Sequence, residues 1–303
     1  MKENIKRLIV IEGPTASGKT ALSIAVAQHF KTVILSADSR QFYREIAIGT
    51  AKPSQEEQAG IQHYFIDSHS IEEEFTAAKF AHEAENILKE EFNQHETIVL
   101  VGGSGMFIDA LCNGLDEIPA DQQLRKELIG SYESEGIEPL INELKEKDPV
   151  FHDQVDLNNP VRIMRAIEAI RISGQPFSSL RKATKKNHDF EIHRFVIDHP
   201  REQLYDRINQ RVAIMLENGL LEEVKSVEHQ KHVNALKTVG YSELFEFLEG
   251  KTTFEEAVEK IKQNSRRYAK RQLTWFRKHQ DAIWIPYNNV DSMKNTLLST
   301  LPQ

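Results

Sequence analysis

The strongest structural signal in this sequence is the stretch Gly13 to Thr20, which reads GPTASGKT. It has the spacing G-x-x-x-x-G-K-[ST] of a phosphate-binding P-loop. An apolar run from Leu8 to Ile11 precedes it, and a helix-compatible stretch from Thr20 to Phe30 follows. Strand, glycine loop and helix are the context that this motif requires. The sequence therefore predicts an α/β protein with a P-loop, a parallel sheet and a site for a di- or triphosphate.

The residue types in this loop suit an anion. Glycines let successive backbone amides converge on a phosphate, and the following helix adds the positive end of its dipole. Lys19 supplies a mobile cation, and the Thr20 hydroxyl can bind a phosphate-bound Mg²⁺. The predicted phosphate-binding residues are Gly13, Pro14, Thr15, Ala16, Ser17, Gly18, Lys19 and Thr20. The motif alone does not identify the phosphate ester or the reaction.

Composition narrows the class of protein. With 303 residues, 40% hydrophobic and 28% charged, the chain resembles an ordinary soluble enzyme of one large or two modest domains. Its apolar runs are too short for a membrane span or a signal peptide, which predicts a cytoplasmic protein. The single cysteine, Cys112, excludes an intrachain disulfide and a cysteine-based metal cluster. The net charge of −8 argues weakly against nucleic acid, but local cationic stripes matter more than the sum.

A second strand is predicted from Thr32 to Leu35, and the polar stretch SADSRQFY follows it. Ligands of parallel α/β sheets lie beyond the carboxyl ends of the strands, so Asp38 is expected beside the P-loop. Asp is also a favoured N-cap of a helix. Local sequence leaves both a chemical role and a capping role open for Asp38.

Three more core elements precede a change in composition. A short strand is predicted at 63–67, an amphipathic helix at 76–92 and a buried strand at 97–101. The last of these ends in GGSG, whereas P-loop NTPases usually place an acid there to organise Mg²⁺. Lys52, in a loop with Gly and Pro, could reach a phosphate or simply be solvated.

The chain divides into three segments by composition. Residues 1–115 form the first part of the P-loop core, 116–190 a helical insertion domain, and 191–303 the second part of the core. Within the insertion, helices are predicted around 122–133 and 137–147.

A third helix of the insertion starts at Asn159-Pro160, a normal start signal. Arg162 and Arg165 are three residues apart and are expected on one face of this helix. That face is either solvated or binds a ligand.

The second part of the core opens with a strand predicted at 193–198, and one long helix is predicted from Arg201 to about Val227. Arg207 and Arg211 lie four residues apart on it, so they share a face. Two aligned arginines suit a diphosphate. Arg207 could instead pair with a neighbouring acid such as Glu202 or Asp206.

The main electropositive feature lies between Lys262 and Lys278, where the sequence has seven Lys and Arg residues and no acid. Tyr268, Trp275 and Phe276 are interleaved with these cations. Such a helix suits a phosphate backbone and unstacked bases. A solvated surface helix is the alternative.

Eight sequence blocks, in this order, resemble the tRNA dimethylallyltransferases, also called tRNA isopentenyltransferases. They span nearly the whole chain and read GPTASGKT at 13–20, DSRQFY at 38–43, IGTAKP at 48–53, GGSGMF at 102–107, PADQQLR at 119–125, NPVRIMRAIE at 159–168, VGYSE at 239–243 and SRRYAKRQLTWFR at 265–277. The family pattern has Thr and Tyr where this chain has Ser104 and Phe107. Ser104 keeps a hydroxyl, whereas Phe107 loses one.

The resemblance implies a reaction and a set of residue roles. The enzyme would move a dimethylallyl group from dimethylallyl diphosphate to the exocyclic amine of the adenine 3′ of the anticodon in tRNA. Asp38 would be the general base, and Lys19, Thr20 and Arg211 would hold the diphosphate with Mg²⁺. The positions that would contact tRNA are Asp38, Ser39, Arg40, Gln41, Ser104, Arg125, Val161, Arg162, Ile163, Met164 and Arg165. The protein is expected to be a monomer.

Two other functional classes compete with this interpretation. A small-molecule P-loop kinase would explain the loop and the sheet but leave the cationic helix without a role. A nucleotide-regulated RNA-binding protein would explain that helix but not the acid after the second strand. The sequence does not decide whether ATP also binds the P-loop.

Overall fold

The computed structural model describes residues 5–182 and 186–302. Tertiary contacts divide the chain into two compact units. One consists of Met1–Cys112 and Asn187–Gln303, and the other is the intervening segment Asn113–Lys186. The boundaries expected from composition lie a few residues further along the chain.

A six-stranded sheet forms the centre of the first unit, and all its pairings are parallel, as predicted. The strands are β1 (Arg7–Glu12), β2 (Ile34–Ser36), β3 (His63–Tyr64), β4 (Thr97–Gly102), β5 (Glu191–Asp198) and β6 (Ile283–Pro286). Their order is β3-β2-β4-β1-β5-β6. The P-loop strand β1 is therefore central, and the carboxyl ends of β1, β2 and β4 meet at one edge.

Thirteen α-helices are found in the described part of the chain. They are α1 (Lys19–Phe30), α2 (Ala77–Glu91), α3 (Gly105–Asn113), α4 (Gln122–Glu135), α5 (Glu138–Lys147), α6 (Pro149–His152), α7 (Pro160–Ser173), α8 (Phe177–Leu180), α9 (Arg201–Glu217), α10 (Leu220–Ser226), α11 (Tyr241–Leu248), α12 (Phe254–Phe276) and α13 (Val290–Thr300). None of these described helices combines the length and the apolar character needed to cross a bilayer.

Both faces of the sheet are covered, which explains the nearly continuous apolar runs in its central strands. Leu8 and Leu100 belong to a core that contains α2 and α3. Ile9 and Val99 alternate with them and belong to a core that contains α1 and α13. A third core joins α9, α10, α11 and the start of α12. These layers fix the loops at the carboxyl edge of the sheet.

The second unit is helical, as expected. Its core is formed by side chains from α4, α5 and α7, including the fully buried Leu144, Ile163 and Ile167. The side chain of Asn159 caps α7 by accepting a hydrogen bond from the Arg162 amide at 3.2 Å. The start signal recognised in the sequence is therefore the actual start of this helix.

Some predicted elements differ from the structure. The strand predicted at 63–67 ends at Tyr64, because Phe65 and Asp67 have positive φ angles of 64° and 53°. The single helix predicted from Arg201 onwards is interrupted at Gly219, which has a φ of 94°. Strand β6 and helix α13 were not predicted, since β6 is only four residues long and only one of them is buried.

Candidate active site

The P-loop connects β1 to α1 through a tight turn. The Ser17 amide donates to the Pro14 carbonyl at 3.2 Å, and Ala16 and Gly18 have φ angles of 62° and 87°. A Cβ atom at Gly13 would lie 2.5 Å from Ser17 Oγ, so any larger residue there would displace the Ser17 side chain. Gly18 is the N-cap of α1 and has no side chain to occupy the first-turn amides. Those amides and the helix dipole together suit an anion.

A cavity of about 520 Å³ opens beside this loop. Lys19 and Thr20 at the start of α1, Asp38 after β2 and Arg211 on α9 all line it. They are the four residues for which sequence reasoning predicted a catalytic role, and three separate elements bring them together. Further parts of the wall come from 39–41, from 49–51 and from one face of α12.

A second cavity of about 700 Å³ adjoins the first and shares Lys19, Thr20 and Arg211 with it. Apolar side chains such as Ile24 and Ile214 also line it. The three shared residues therefore stand where the two openings meet, and a group bound to them can be approached from either cavity.

The electrostatics of the pocket favour an anion. The pKa of Lys19 is lowered to about 8, chiefly by burial; the Asp38 carboxylate opposes this shift and the Arg211 cation adds to it. Burial likewise lowers the pKa of Arg211. Two cations that have lost much of their hydration thus face one carboxylate. A phosphate-bearing ligand would supply the missing negative charge.

Asp38 does not cap a helix, so the capping hypothesis is wrong. A turn follows β2, and Asp38 Oδ1 accepts a hydrogen bond from the Arg40 amide at 3.1 Å. The next residue, Ser39, donates its amide to Ser104 Oγ at 3.0 Å. These contacts hold the carboxylate at the pocket wall and tie its turn to the GGSG turn that follows β4.

Gln41 lines the pocket and also holds a neighbouring loop. Its Nε2 donates to the carbonyls of Thr50 and Ala51 at 3.2 and 3.1 Å, and its Oε1 accepts from Ser36 Oγ at 3.4 Å. Arg211 Nη2 also contacts the Thr50 carbonyl, at 3.5 Å. The loop at 49–51 is therefore a common anchor for two predicted site residues.

Sequence reasoning missed Glu223, which holds that loop in place. Its carboxylate accepts the amides of Ala47, Ile48 and Gly49 at 2.8, 2.8 and 2.9 Å, and the Tyr241 hydroxyl donates to it as well. A Cβ atom at Gly49 would lie 2.5 Å from the Tyr241 ring, so the loop also needs glycine at this point.

The cationic run forms the second half of α12, except for Arg277 and Lys278, which follow its last residue, and several of its side chains have partners within the protein. Arg266 donates to Asn209 Oδ1 at 2.6 Å, and Lys262 pairs with Glu259 at 2.7 Å. Arg271 and Tyr268 line the 520 Å³ cavity, with the guanidinium 5.6 Å from the ring centroid. Together with Asn264, Ser265 and Gln272, they give this part of the helix five residues in the pocket wall.

The aromatic residues of α12 have different positions. Burial raises the pKa of Tyr268 to about 12, and the Asp38 charge adds to the shift, so the phenol stays protonated at neutral pH. Trp275 donates its indole N–H to Asp109 Oδ2 at 2.7 Å. Phe276 is fully buried, which corrects the expectation that it interacts with bases.

Lys52 and Arg207, for which the sequence left a phosphate contact open, both bind groups within the protein. The Lys52 side chain is 5% exposed, donates to the Tyr43 carbonyl at 2.6 Å and pairs with Asp67. Arg207 pairs with neither acid proposed for it. It donates from Nε to the Ala16 carbonyl at 2.8 Å and from Nη1 to the Tyr287 hydroxyl at 2.9 Å. Arg207 therefore supports the backbone of the P-loop.

In the helical unit, the buried Glu168 side chain pairs with two of the predicted tRNA-binding arginines. Its carboxylate accepts from Arg125 at 3.1 Å and from Arg165 at 2.9 Å. Arg165 also donates to the carbonyls of Ile118 and Pro119 at 2.8 and 2.6 Å. Both side chains thus stabilise the fold of this unit.

The other predicted residues on α7 differ in exposure. Val161 is 69% exposed and Arg162 is exposed, whereas Met164 is only partly exposed. Ile163 is fully buried in the core of the unit, so a side-chain contact between Ile163 and RNA does not fit the structure. Arg162 and Arg165 do not form one free cationic face, which corrects the expectation from their spacing.

Phe107 clarifies the departure from the family motif. It is buried at 7% exposure, with its ring centroid 5.5 Å from those of Phe42 and Phe80. The side chain that follows the GGSGM segment thus belongs to the aromatic core between the sheet and α2. Ser104, by contrast, uses its hydroxyl to hold the Asp38 turn.

Comparisons with known proteins agree with this architecture. A family model described as IPP transferase matches residues 41–279. A tRNA dimethylallyltransferase of Cytophaga hutchinsonii is 47% identical over 280 residues, which cover 92% of each chain. Another, from Flavobacterium johnsoniae, is 45% identical over 291 residues and 94% of each chain.

Two solved structures show the same fold. The full-length tRNA isopentenylpyrophosphate transferase of Bacillus halodurans has a TM-score of 0.71 at 34% identity and covers 97% of this chain and 95% of its own. A eukaryotic dimethylallyltransferase, solved while acting on tRNA, has a TM-score of 0.78 at 25% identity, with 98% and 80% covered. The P-loop α/β fold, the matched segment and the close relatives lead to one conclusion: this chain belongs to the IPP transferase family, the family of the tRNA dimethylallyltransferases.

Proposed function

We propose that this protein transfers the dimethylallyl group of dimethylallyl diphosphate to the exocyclic amine of the adenine 3′ of the anticodon in tRNA. Isopentenyladenosine and diphosphate are the products. The observation that carries the proposal is the pocket in which one carboxylate, Asp38, faces two partly desolvated cations, Lys19 and Arg211, at a P-loop. Family membership supports the choice of reaction.

The P-loop acts on a leaving group in this proposal. As the allylic C–O bond breaks, negative charge grows on the diphosphate oxygen. Lys19, Arg211 and the first-turn amides of α1 are placed to absorb it, and preorganised donors of this kind often contribute more to the rate than any other single effect in an enzyme. The dimethylallyl chain would lie in the 520 Å³ cavity, between the diphosphate and Asp38, where apolar side chains such as Val212, Met215 and Leu220 line the wall.

Asp38 takes the proton from the adenine amine. That amine is a weak nucleophile because its lone pair is delocalised into the ring, and a positioned base contributes roughly 10²–10⁴-fold. Tyr268 lines the same pocket, but its pKa of about 12 keeps it protonated, so it cannot replace Asp38. The target base must leave its stack to reach the carboxylate, as base-modifying enzymes generally require.

A magnesium ion fits the site as a companion of the substrate. The described residues contain no cluster of three or more His, Cys, Asp or Glu side chains able to hold a metal by themselves. Mg²⁺ commonly relies on substrate phosphates and waters with one or two protein ligands. The Thr20 hydroxyl at the start of α1 is the expected protein ligand, and the ion would neutralise further charge on the diphosphate.

The tRNA contacts are proposed from exposure and position. The turn after Asp38 contains Ser39 and Arg40, and Ser104 is bonded to it. On α7, Val161 and Arg162 are exposed. We expect these residues to contact the anticodon arm directly. Arg125 and Arg165 act indirectly, because their bonds to Glu168 fix the helical unit. A monomer in the cytoplasm, where tRNA is found, completes the proposal.

One assay tests the proposal directly. Purified protein is incubated with radiolabelled dimethylallyl diphosphate, bulk tRNA and Mg²⁺, and label is counted in precipitated RNA and located by nucleoside analysis. We expect label in an adenosine derivative, with the Asp38→Asn variant as the matched control of low activity. Absence of label, together with phosphoryl transfer from ATP to a small molecule, would favour the kinase alternative.

A further inference from the structure

Gln272 is buried on α12, at 6% exposure, and both ends of its side-chain amide are engaged. Its Oε1 accepts the Thr15 amide of the P-loop at 2.9 Å, and its Nε2 donates to the Gly103 carbonyl, in the turn after β4, at 2.8 Å. The two bonds need opposite ends of the amide, so the side chain has only one satisfactory orientation. Gln272 thus bridges two segments that meet at the pocket.

The same helix is packed very closely onto the GGSG turn. A Cβ atom at Gly103 would lie 2.4 Å from Gln272 Nε2, and one at Gly105 would lie 2.2 Å from the Trp275 ring. Glycine at both positions therefore allows α12 to approach the backbone of the turn. Trp275 adds its bond to Asp109 on α3, so helix and turn form one rigid support.

The hydrogen bonds of Gln272 connect the P-loop to the turn that holds the proposed base, Asp38. Residue 104 follows Gly103 directly, and Ser104 Oγ accepts the Ser39 amide at 3.0 Å. The Ser104 amide also donates to the Ala37 carbonyl at 3.3 Å. These two bonds flank Asp38 in the chain. One side of the Gln272 amide thus contacts the loop proposed to hold the leaving group, and the other contacts the turn that fixes the base.

We infer that Gln272 is a positioning residue that sets the distance between the diphosphate bound at the P-loop and the Asp38 carboxylate. The inference rests on the proposed function above. Gln272 works through Thr15 and Gly103 and takes no part in proton transfer. Its effect falls on the rate of transfer more than on affinity, because a misplacement of about 1 Å can cost on the order of 10²-fold in rate.

Two substitutions at this position separate the bridge from simple packing. Gln272→Met keeps the length of the side chain but makes neither bond. We expect its single-turnover transfer rate at saturating substrates to fall roughly 10- to 100-fold, with tRNA affinity unchanged. An unchanged rate in a folded Gln272→Met protein, or a loss confined to tRNA affinity, would overturn the inference.

Gln272→Glu adds a second measurement, the pH dependence of the transfer rate, which should not change if Gln272 only fills space. The ionised carboxylate accepts the Thr15 amide but repels the Gly103 carbonyl, whereas the protonated acid can make both bonds, as glutamine does. We expect the rate of this variant, divided by that of wild type, to rise from about pH 8 to about pH 6. The same ratio for Gln272→Met should stay flat. A flat ratio for both variants would contradict the bridge.

Leu88→Ala is the matched stability control. Leu88 lies on α2 at 1% exposure and does not line the pocket, and its truncation removes a buried side chain. We expect this control to lose stability and keep the wild-type rate well below its melting temperature. If it slowed transfer as much as Gln272→Met, general loosening would explain both. If wild type put no label into RNA, the proposed function would fail; wild-type activity with a normal Gln272→Met rate refutes only the present inference.

Discussion

Lys19 should make the binding of dimethylallyl diphosphate depend on pH. Its pKa in the free protein is about 8, chiefly because it is buried, with Arg211 lowering and Asp38 raising it. Two phosphate groups beside the ammonium favour the charged form and raise this pKa in the complex. Below about pH 8 the side chain is already charged, so pH has little effect. Above that pH, binding requires the uptake of a proton and becomes weaker.

The size of the effect follows from the two pKa values. For a free pKa of about 8 and a bound pKa at least two units higher, Kd grows by about 2-fold at pH 8 and about 11-fold at pH 9 relative to low pH. Proton uptake on binding should rise from about 0.1 at pH 7 to about 0.9 at pH 9. The phosphates themselves contribute little to proton uptake between pH 8 and pH 9, since their last ionisation has a pKa of about 6.

Isothermal titration calorimetry in two buffers of different ionisation enthalpy measures both quantities in one series. Lys19→Arg is the control, because the guanidinium stays protonated over this range and should flatten the curve. Lys19→Ala should weaken binding at every pH. An affinity of the wild-type protein that is independent of pH up to about 9, or the same dependence in Lys19→Arg, would refute the reasoning.

Three further changes probe the site and its supports. Asp38→Asn should slow the chemical step roughly 10²–10⁴-fold at saturating substrates, measured by single turnover, because the amide cannot take a proton. Glu223→Gln should lower the free energy of unfolding by about 1–3 kcal/mol in a urea titration, since its amide group faces the donors of 47–49. Arg162→Ala should weaken tRNA binding and reduce the slope of log K against log salt by about 1 in filter binding.

Each of these predictions has its own control. Asn can still accept the Arg40 amide, so the melting temperature of Asp38→Asn should match wild type; a near-normal rate in that folded variant would assign the base elsewhere. If Glu223→Gln were as stable as wild type, the Glu223 carboxylate would not be what holds the loop at 47–49. For α7, Arg165→Ala is the contrast, because losing its bonds to Ile118 and Pro119 should destabilise the helical unit. Equal salt slopes for wild type and Arg162→Ala would make Arg162 a solvated residue.

The parts of the site that could be predicted from the sequence are those whose information is local. The P-loop is contiguous, and strand–loop–helix context is enough to recognise it. Asp38 could be placed beside it because the ends of neighbouring parallel strands meet at one edge of the sheet. Arg211 was suggested by its spacing from Arg207 and by the family resemblance. In the structure, Asp38 and Arg211 both line the cavity beside the loop.

The supports of the site could not be predicted, because their partners are distant in the chain. Gln272 and Thr15 are 257 residues apart, and Glu223 and Gly49 are 174 residues apart. A polar side chain on an amphipathic helix looks the same in sequence whether it is solvated or holds a loop. Helical spacing likewise put Arg162 and Arg165 on one face, but only the structure shows that Glu168 engages Arg165.

The position of β1 in the sheet has a consequence for how the chain acquires its shape. Leu8 pairs with Ile98 on β4 and with Ile192 on β5. The strand before the P-loop therefore cannot complete its pairing until residues synthesised much later are available. The helical unit Asn113–Lys186 lies between β4 and β5 in the chain and is therefore synthesised before β5. Pairings of such long range fold slowly, and an unpaired edge of β1 is exposed to association with other chains in the interval. Conditions that delay the arrival of β5 should therefore reduce the yield of folded protein before they alter the activity of the molecules that do fold.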